Sequence, residues 1–564
     1  MGETATGGRT MAWVRAHPRL VELLLLLVIA VPCLQPKLLR MGTYPIGPDG
    51  SLYMDVAQHT LAGDGLVTGL SLYHQGYPVL PHPTSVQPLW PMLLAAAGAL
   101  MPLPVAAVWV PSLLWGVSLG LAFLWGRRVL PSLLPSWRGV TAPMQLLHGG
   151  HVVVAVLGLS WFFESYTSRP YTEGLSFALL FGSFLRAPGL VERRSLRDAA
   201  ELGLWLALHF YARSQHLILV LAAPCLLLWL LWREPTRRRQ SLLFGAFGFA
   251  VFALAFLPEL LWVGSFVEGN ALHAYLRFDQ ARVASALSDA AGLRSGESLL
   301  ATVADRLGGV RVAFGPEGYV KVFGFHAAVL PLALLACVSA PRRAWRILVA
   351  MVDGHGVALI SGVGAVLLLH LMHKDLGHAW WFGDRHALLA IVLFAFAYAM
   401  CARRGGPWLW LALALFVGAT GHEAVDRWQT RARKPYKVLA HRLDLQARLL
   451  ALAAAQEAPL VVAMHSTQAR YLAWLVPGVG FHALIEQTSY EDLEIMVCEL
   501  GVRYVVTFGP LQGPYAKDAR FEERFELVDS FASPEQRTRK LEAGDIIRLW
   551  RAPPVAACGR GPAE

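Results

Sequence analysis

From residue 20 to residue 421 the chain is a succession of apolar runs near 20 residues long, broken by short clusters of arginine. A run of about 20 apolar residues is the length that crosses a bilayer as a helix. Backbone inside a bilayer must satisfy its own hydrogen bonds, so runs of this kind cross as helices. The pattern predicts a mainly α, polytopic membrane bundle. Composition agrees. The 564 residues are 55% hydrophobic and 16% charged, against about 25% charged in soluble domains. The net charge of +10 does not point to nucleic acid. Its arginines punctuate the apolar runs rather than lining one face or one tail, which is a topology signal. Membrane lipids are the expected partners, and nucleic acid is not. Of the six cysteines, four lie in apolar runs and none forms a CxxC pair. Neither a disulfide framework nor a thiolate metal site is expected.

The basic clusters lie at Arg127-Arg128, Arg186 to Arg197, Arg233 to Arg239, Arg342 to Arg346 and Arg403-Arg404. Placed together on the cytoplasmic side, they pair the runs as 146–165 with 170–186, 199–212 with 214–232, 240–263 with 320–340, and 350–372 with 386–402. With 20–38, 105–127 and 407–421, the expectation is about 11 spans. Arg15 and Arg19 precede the first run and no small-residue cleavage site follows it. That predicts an uncleaved first helix with a cytoplasmic start. The segment Gln87 to Pro102 is apolar but short and proline-bounded. It reads as a juxtamembrane or re-entrant helix on the outer face, with an ordinary short span as the alternative. The expected domains are 1–421, the membrane part with outer loops 39–104 and 264–319, and 422–564. The second loop carries Glu268, His273, Arg277, Asp279 and Arg282 near its start. In the last domain 458–466, 503–508 and 545–552 read as strands and 490–502 as a helix. This is the alternation of a small α/β domain, expected on the extracytoplasmic side.

The most chemically loaded stretch follows the first apolar run. Tyr44 to Gly65 holds Asp49, Tyr53, Asp55, His59 and Asp64. Its sequence PDGSLYMDVAQHTLAGDGL is similar to the first-loop motif of the GT-C glycosyltransferases, which use polyprenyl-phosphate sugars as donors. Three further segments resemble the same superfamily: QPLWPMLLAA after that loop, RPYTEGLSFALLF opening a later helix, and FGDRHALLAIVLFAFA at the arginine-led start of a late one. The likeness is to the RgtA/B/C/D-like, protein-mannosyltransferase-like branch and covers most of residues 10–421 in layout. Two positions depart from it. Many relatives carry an acidic pair where Asp49 is followed by Gly50, and Gln87 stands where a proline is frequent.

The resemblance implies an inverting membrane glycosyltransferase at the plasma membrane. It would move a hexosyl or pentosyl unit from a polyprenyl-phosphate donor to a glycan, lipid or protein acceptor, with the active site on the extracytoplasmic side. Such transfer needs a carboxylate that takes the acceptor proton and cations that meet charge developing on the phosphate. Asp49 is the candidate base; capping of its helix is the competing role. Glu173, at the mouth of its helix, is the second catalytic candidate, since ionisable groups there are functional by default. Glu164 is a weaker case of the same kind. Arg213 and Arg385 are candidates for a substrate phosphate, with snorkelling to lipid headgroups as the alternative. Tyr53, one turn after Asp49, either positions substrate or packs at an interface. Asp55 falls on another face of that helix and is expected to be solvated. The loop 373–386 holds His373, Asp375, His378, Asp384 and His386 without a metal-ligand spacing, so no cofactor is expected, with a divalent ion there as the alternative. Trp380 and Trp381 read as an aromatic belt or a sugar-stacking surface. The reading from a different class is a transporter or flippase of lipid-linked sugars, for which the internal repeat common in such proteins is not seen.

Overall fold

A computed structural model of the chain describes residues 16–40, 48–72, 81–84, 86–131, 147–213, 217–265, 319–375, 388–431, 440–456, 459–465, 469–470, 472–484, 488–508, 514–532 and 546–554. The second outer loop, 266–318, lies outside them, and with it Glu268, His273, Arg277, Asp279 and Arg282. The chain divides into two compact units, each discontinuous in sequence. One is Met1–Gly42, Pro111–Ser168 and Thr172–Pro435; the other is Thr43–Val110, Arg169–Tyr171 and Tyr436–Glu564.

The first unit is helical. Six helices are long and apolar enough to cross a membrane: Leu103–Val129, Glu173–Arg193, Pro235–Trp262, Tyr319–Val338, Pro341–Gly364 and Pro407–Gln429. Glu22–Leu34, Gly149–Gly158 and Ala222–Arg233 are apolar but shorter. Of the 11 expected spans, six thus have the length and composition of a span among the described residues. The expected run 146–165 is two helices, Gly149–Gly158 and Trp161–Thr167. Ser160 lies in the break between them, where its hydroxyl donates to the Val322 carbonyl at 2.8 Å. The Pro341–Asp375 helix is kinked at His355 (φ −146°, ψ 30°). The core is aromatic, with Trp125, Phe163, Phe177, Phe181, Phe323 and Phe394 fully buried. At one crossing the backbones themselves touch. A Cβ on Gly126 would sit 2.4 Å from the Gly149 carbonyl oxygen, the small-residue contact through which membrane helices pack.

The second unit is built on a sheet of six strands. In chain order these are β2 (Leu70–Leu72), β4 (Leu460–His465), β5 (Val479–Leu484), β6 (Tyr504–Phe508), β7 (Glu526–Ala532) and β8 (Ile546–Arg551), and across the sheet they run β2-β5-β4-β6-β8-β7. The first four are mutually parallel, and β8 and β7 complete the sheet antiparallel. A separate ribbon pairs β1 (Val67–Thr68) with β3 (His82–Pro83). Three of the strands expected from sequence are present, as β4, β6 and β8, and the expected helix is Tyr490–Cys498. Sequence reasoning missed β5 because all six of its residues are buried, and a strand buried on both faces shows no alternation to read. It also missed β2, which belongs to the first loop yet joins β5, the Phe481 amide donating to the Gly69 carbonyl at 2.8 Å.

Two helices of the first loop lie in this unit, Pro48–Ala62 and Leu89–Gly98. The second has ten residues. At 1.5 Å per residue it rises about 15 Å, half the roughly 30 Å of a bilayer core. It packs on the first so closely that a Cβ on Gly98 would lie 2.7 Å from Leu61 Cδ1. The sequence indicated no disulfide framework; Cys498 is nonetheless disulfide-bonded. Cys33, Cys225, Cys337 and Cys401 are free.

Candidate functional site

Pro48 opens its helix and Asp49 stands in the first turn, where a carboxylate is favoured by the unpaired amides and the helix dipole. Its side chain is 36% exposed. Arg470 Nη1 donates to Asp49 Oδ1 at 3.4 Å, and Arg470 Nε is buried with no hydrogen-bond partner among the described residues. Arg470 follows β4, the central parallel strand, by five residues. Asp49 therefore lies at the carboxyl edge of the parallel strands. There the connections from β4 and β5 leave in opposite directions, to β5 on one side and β6 on the other. Open α/β sheets bind their ligands at such a switch point.

The wall behind Asp49 comes from two other sequence motifs. Gly50 packs on Pro170 and Tyr171: a Cβ at position 50 would meet Pro170 Cγ at 2.9 Å and Tyr171 Cε1 at 3.2 Å. That gives the departure from an acidic pair its physical reason, since an aspartate at 50 has no room. Trp90, fully buried, holds the same segment by donating its indole N–H to the Pro170 carbonyl at 2.7 Å. Arg169 lies 5.8 Å from the centre of the Tyr171 ring. Tyr53 is half-buried on the Asp49 helix.

Asp55 is not solvated. It is 2% exposed and accepts from Thr68 Oγ1 at 2.6 Å and from the Gly69 amide at 2.9 Å. Burial pushes its carboxyl above the ordinary range, against the pull of those two hydrogen bonds and of His59. His59 in turn meets Asp64 through Nδ1 at 2.8 Å. These contacts tie the end of the Asp49 helix to the start of β2. Asp55 was expected to be solvated; it is buried because the segment at Thr68 and Gly69 folds back onto its face of the helix and bonds it.

In the helical unit Glu173 and Arg213, both singled out from sequence, are brought together. Arg213 Nη1 donates to Glu173 Oε1 at 2.8 Å, with side-chain exposures of 10% and 0%. Arg213 ends the Leu196–Ala212 helix in extended backbone. A second buried pair was missed in part. Glu164 meets Arg427 at 3.7 Å, with both side chains at or below 1% exposure. Arg427 also donates to the carbonyls of Gly158 and Ser160, so it closes the broken ends of the 149–167 segment. Arg385, His378, Asp384, His386, Trp380 and Trp381 lie outside the described residues, as do the side chains of His373 and Asp375. Among the described residues no three His, Cys, Asp or Glu side chains gather into a metal-binding group. Arg470 was not found from sequence. Its only signal is a basic residue shortly after a strand.

No family model matches the chain, and no curated protein matches it significantly. Among solved structures, the crystal structure of the Archaeoglobus fulgidus oligosaccharyltransferase, a complex with Zn and sulfate, aligns with a TM-score of 0.54 at 14% identity, over 85% of this chain and 67% of that one. ArnT from Cupriavidus metallidurans aligns at 14% identity over 96% and 99% of the two chains when bound to undecaprenyl phosphate. In the apo state it aligns at 15% over 98% and 100%. Those TM-scores, 0.36 and 0.35, are too low to bear on the fold. The oligosaccharyltransferase alignment is a likeness of fold alone: this chain shares the architecture of that structure.

Proposed function

We propose that this protein is a membrane glycosyltransferase. It moves a sugar from a polyprenyl-phosphate-linked donor to an envelope glycan, lipid or protein acceptor, with inversion at the sugar. The observation that carries the reading is the setting of Asp49. It is a part-exposed carboxylate on a first helical turn, beside an arginine with an unfilled donor, at the carboxyl edge of a sheet. The fold supports it by analogy, since the aligned neighbour is an oligosaccharyltransferase, though fold alone does not fix function.

In this mechanism Asp49 accepts the proton of the acceptor hydroxyl as that oxygen attacks the sugar carbon. The bond from that carbon to the phosphate oxygen breaks on the opposite face, and the phosphate leaves with the electron pair. Arg470 is the cation nearest the base. Its spare Nε–H is the kind of donor that meets charge on a departing phosphate or holds a sugar oxygen. The Glu173–Arg213 pair and Arg385 remain the candidates of the helical unit. The Cys498 disulfide supports an extracytoplasmic place for the mixed unit, because disulfides persist in oxidising compartments.

The test is transfer of radiolabelled sugar in membranes supplied with a panel of polyprenyl-phosphate sugars, wild type beside Asp49→Asn. Loss of about 10²–10⁴-fold in rate is expected for a removed general base, at unchanged protein level. Equal rates would remove Asp49 from catalysis and move the base to Glu173. Labelled lipid that crosses the membrane without transfer would favour transport instead.

A further inference from the structure

One end of the helical unit gathers the last turns of Glu173–Arg193 and Leu217–Arg233, the turn Glu234 to Arg237 and the kink at His355. Between them is a cavity of about 540 Å³, within the range of small-ligand sites, about 300–1,000 Å³. One wall is apolar, with Phe184, Leu226 and Leu230 buried in it. The rim carries three arginines, Arg194, Arg233 and Arg237, and three carboxylates, Glu192, Glu234 and Asp353.

These six charges are not equivalent. Arg194 is spent on structure: its guanidinium donates to the Val191 carbonyl at 2.7 Å, to Ser241 Oγ at 2.9 Å and to Glu234 Oε1 at 2.8 Å. Arg237 is held by Gln240 at 3.0 Å, by the Glu192 carbonyl at 3.2 Å and by an ion pair to Glu234 at 3.6 Å. Arg233 is different. It is 52% exposed and its ion pair to Asp353, at 3.6 Å, is long and solvated, while Asp353 also accepts from the Trp229 indole at 3.2 Å. The Glu192 carboxylate is exposed and has no hydrogen-bond partner among the described residues. Among the described residues the cavity therefore offers one weakly held cation, Arg233, and one anion without a hydrogen-bond partner, Glu192, above an apolar wall.

That arrangement selects among ligands. With three charges of each sign the rim has no net field to draw a free phosphate. A molecule carrying both signs gains at both ends, and one with hydrocarbon gains again at the wall. A primary ammonium brings three donors to carboxylate acceptors, and a phosphodiester suits a guanidinium fork. We propose that this cavity binds the headgroup of a zwitterionic phospholipid, its phosphate against Arg233, its primary ammonium against Glu192 and the start of its chains along Phe184, Leu226 and Leu230. The site is independent of the glycosyl-transfer reading.

The experiment titrates the purified full-length protein in non-ionic detergent with phosphatidylethanolamine labelled on an acyl chain. Competitors are unlabelled phosphatidylethanolamine, phosphatidylglycerol, water-soluble glycerophosphoethanolamine and inorganic phosphate. Only the first should displace the label fully at equal concentration. Arg233→Ala and Glu192→Gln should each weaken binding about fivefold, the worth of a part-exposed charge contact. Ala187→Phe, which fills the cavity from its apolar wall and touches no charge, should abolish it. Equal competition by phosphatidylglycerol or by inorganic phosphate would overturn the proposal. So would displacement by the chainless headgroup, or unchanged binding in Glu192→Gln and Ala187→Phe. Glu192→Gln alters an exposed side chain with no hydrogen-bond partner to lose among the described residues, so it keeps the test open if Arg233→Ala does not fold.

Discussion

Asp49 and Arg470 meet at 3.4 Å with side chains 36% and 32% exposed, whereas Glu173 and Arg213 meet at 2.8 Å with exposures of 0% and 10%. The two pairs use the same chemistry under opposite solvation. In the first, water screens the attraction, so exchanging the arginine for another partner costs little. A carboxylate of that kind is free to take a proton from an arriving hydroxyl. In the second, each charge has lost its water and depends on the other. Such a pair resists exchange and sets the geometry around it.

The largest effect should come from breaking the buried pair. Glu173→Ala leaves Arg213 buried without its partner and should lower stability by about 3–5 kcal/mol, read as thermal unfolding of the purified protein in detergent. Glu173→Leu with Arg213→Leu should recover most of that loss. An unchanged melting temperature in the single variant would mean that the pair bears no load. Next in size is Gly50→Asp, which makes the acidic pair of the family that the first loop resembles. Its side chain meets Pro170 and Tyr171, and forcing room for it should cost about 1–3 kcal/mol and displace Asp49. Full stability together with raised transfer activity would sink that account. Arg470→Ala should change stability by less than about 1 kcal/mol while slowing sugar transfer more than its stability cost predicts. A parallel fall in both would leave Arg470 a mere brace.

The smallest effect is at the surface of the mixed unit. Arg520 and its own backbone amide bond Asp518 and hold its carboxyl at about 2, below the ordinary 3.8. A lowered folded value gives stability that is present above 3.8 and is lost as pH falls toward 2. Denaturant midpoints measured through that window should flatten in Asp518→Asn. A midpoint that falls as steeply in the variant would assign the acid sensitivity to other carboxylates.

Much of the helical unit was legible in the sequence because bilayer length is a local property. An apolar run of about 20 residues announces itself without reference to its neighbours. The arginine clusters were equally plain. What could not be read was how a run breaks. The 149–167 segment splits at a serine that bonds to Val322, and its ends are closed by an arginine some 270 positions on. Within the mixed unit, β4, β6 and β8 were readable by pattern. The missed β5 is buried on both faces, and β2 is a strand only because β5 lies beside it.

The candidate site divides in the same way. The sequence by itself determined that Asp49 lies at the start of a helix, that Tyr53 follows one turn later and that Asp55 points elsewhere, because helical spacing is set by backbone geometry alone. Tertiary structure decided the rest. It brought Arg470 to Asp49 across 421 residues, pressed Pro170 onto Gly50, joined Glu173 to Arg213 and turned Asp55 from a solvated side chain into a buried anchor. The physical reason is the same each time. Whether a charge is wet, paired or crowded depends on what packs against it, and for these residues that partner lies from 13 to 421 positions away along the chain.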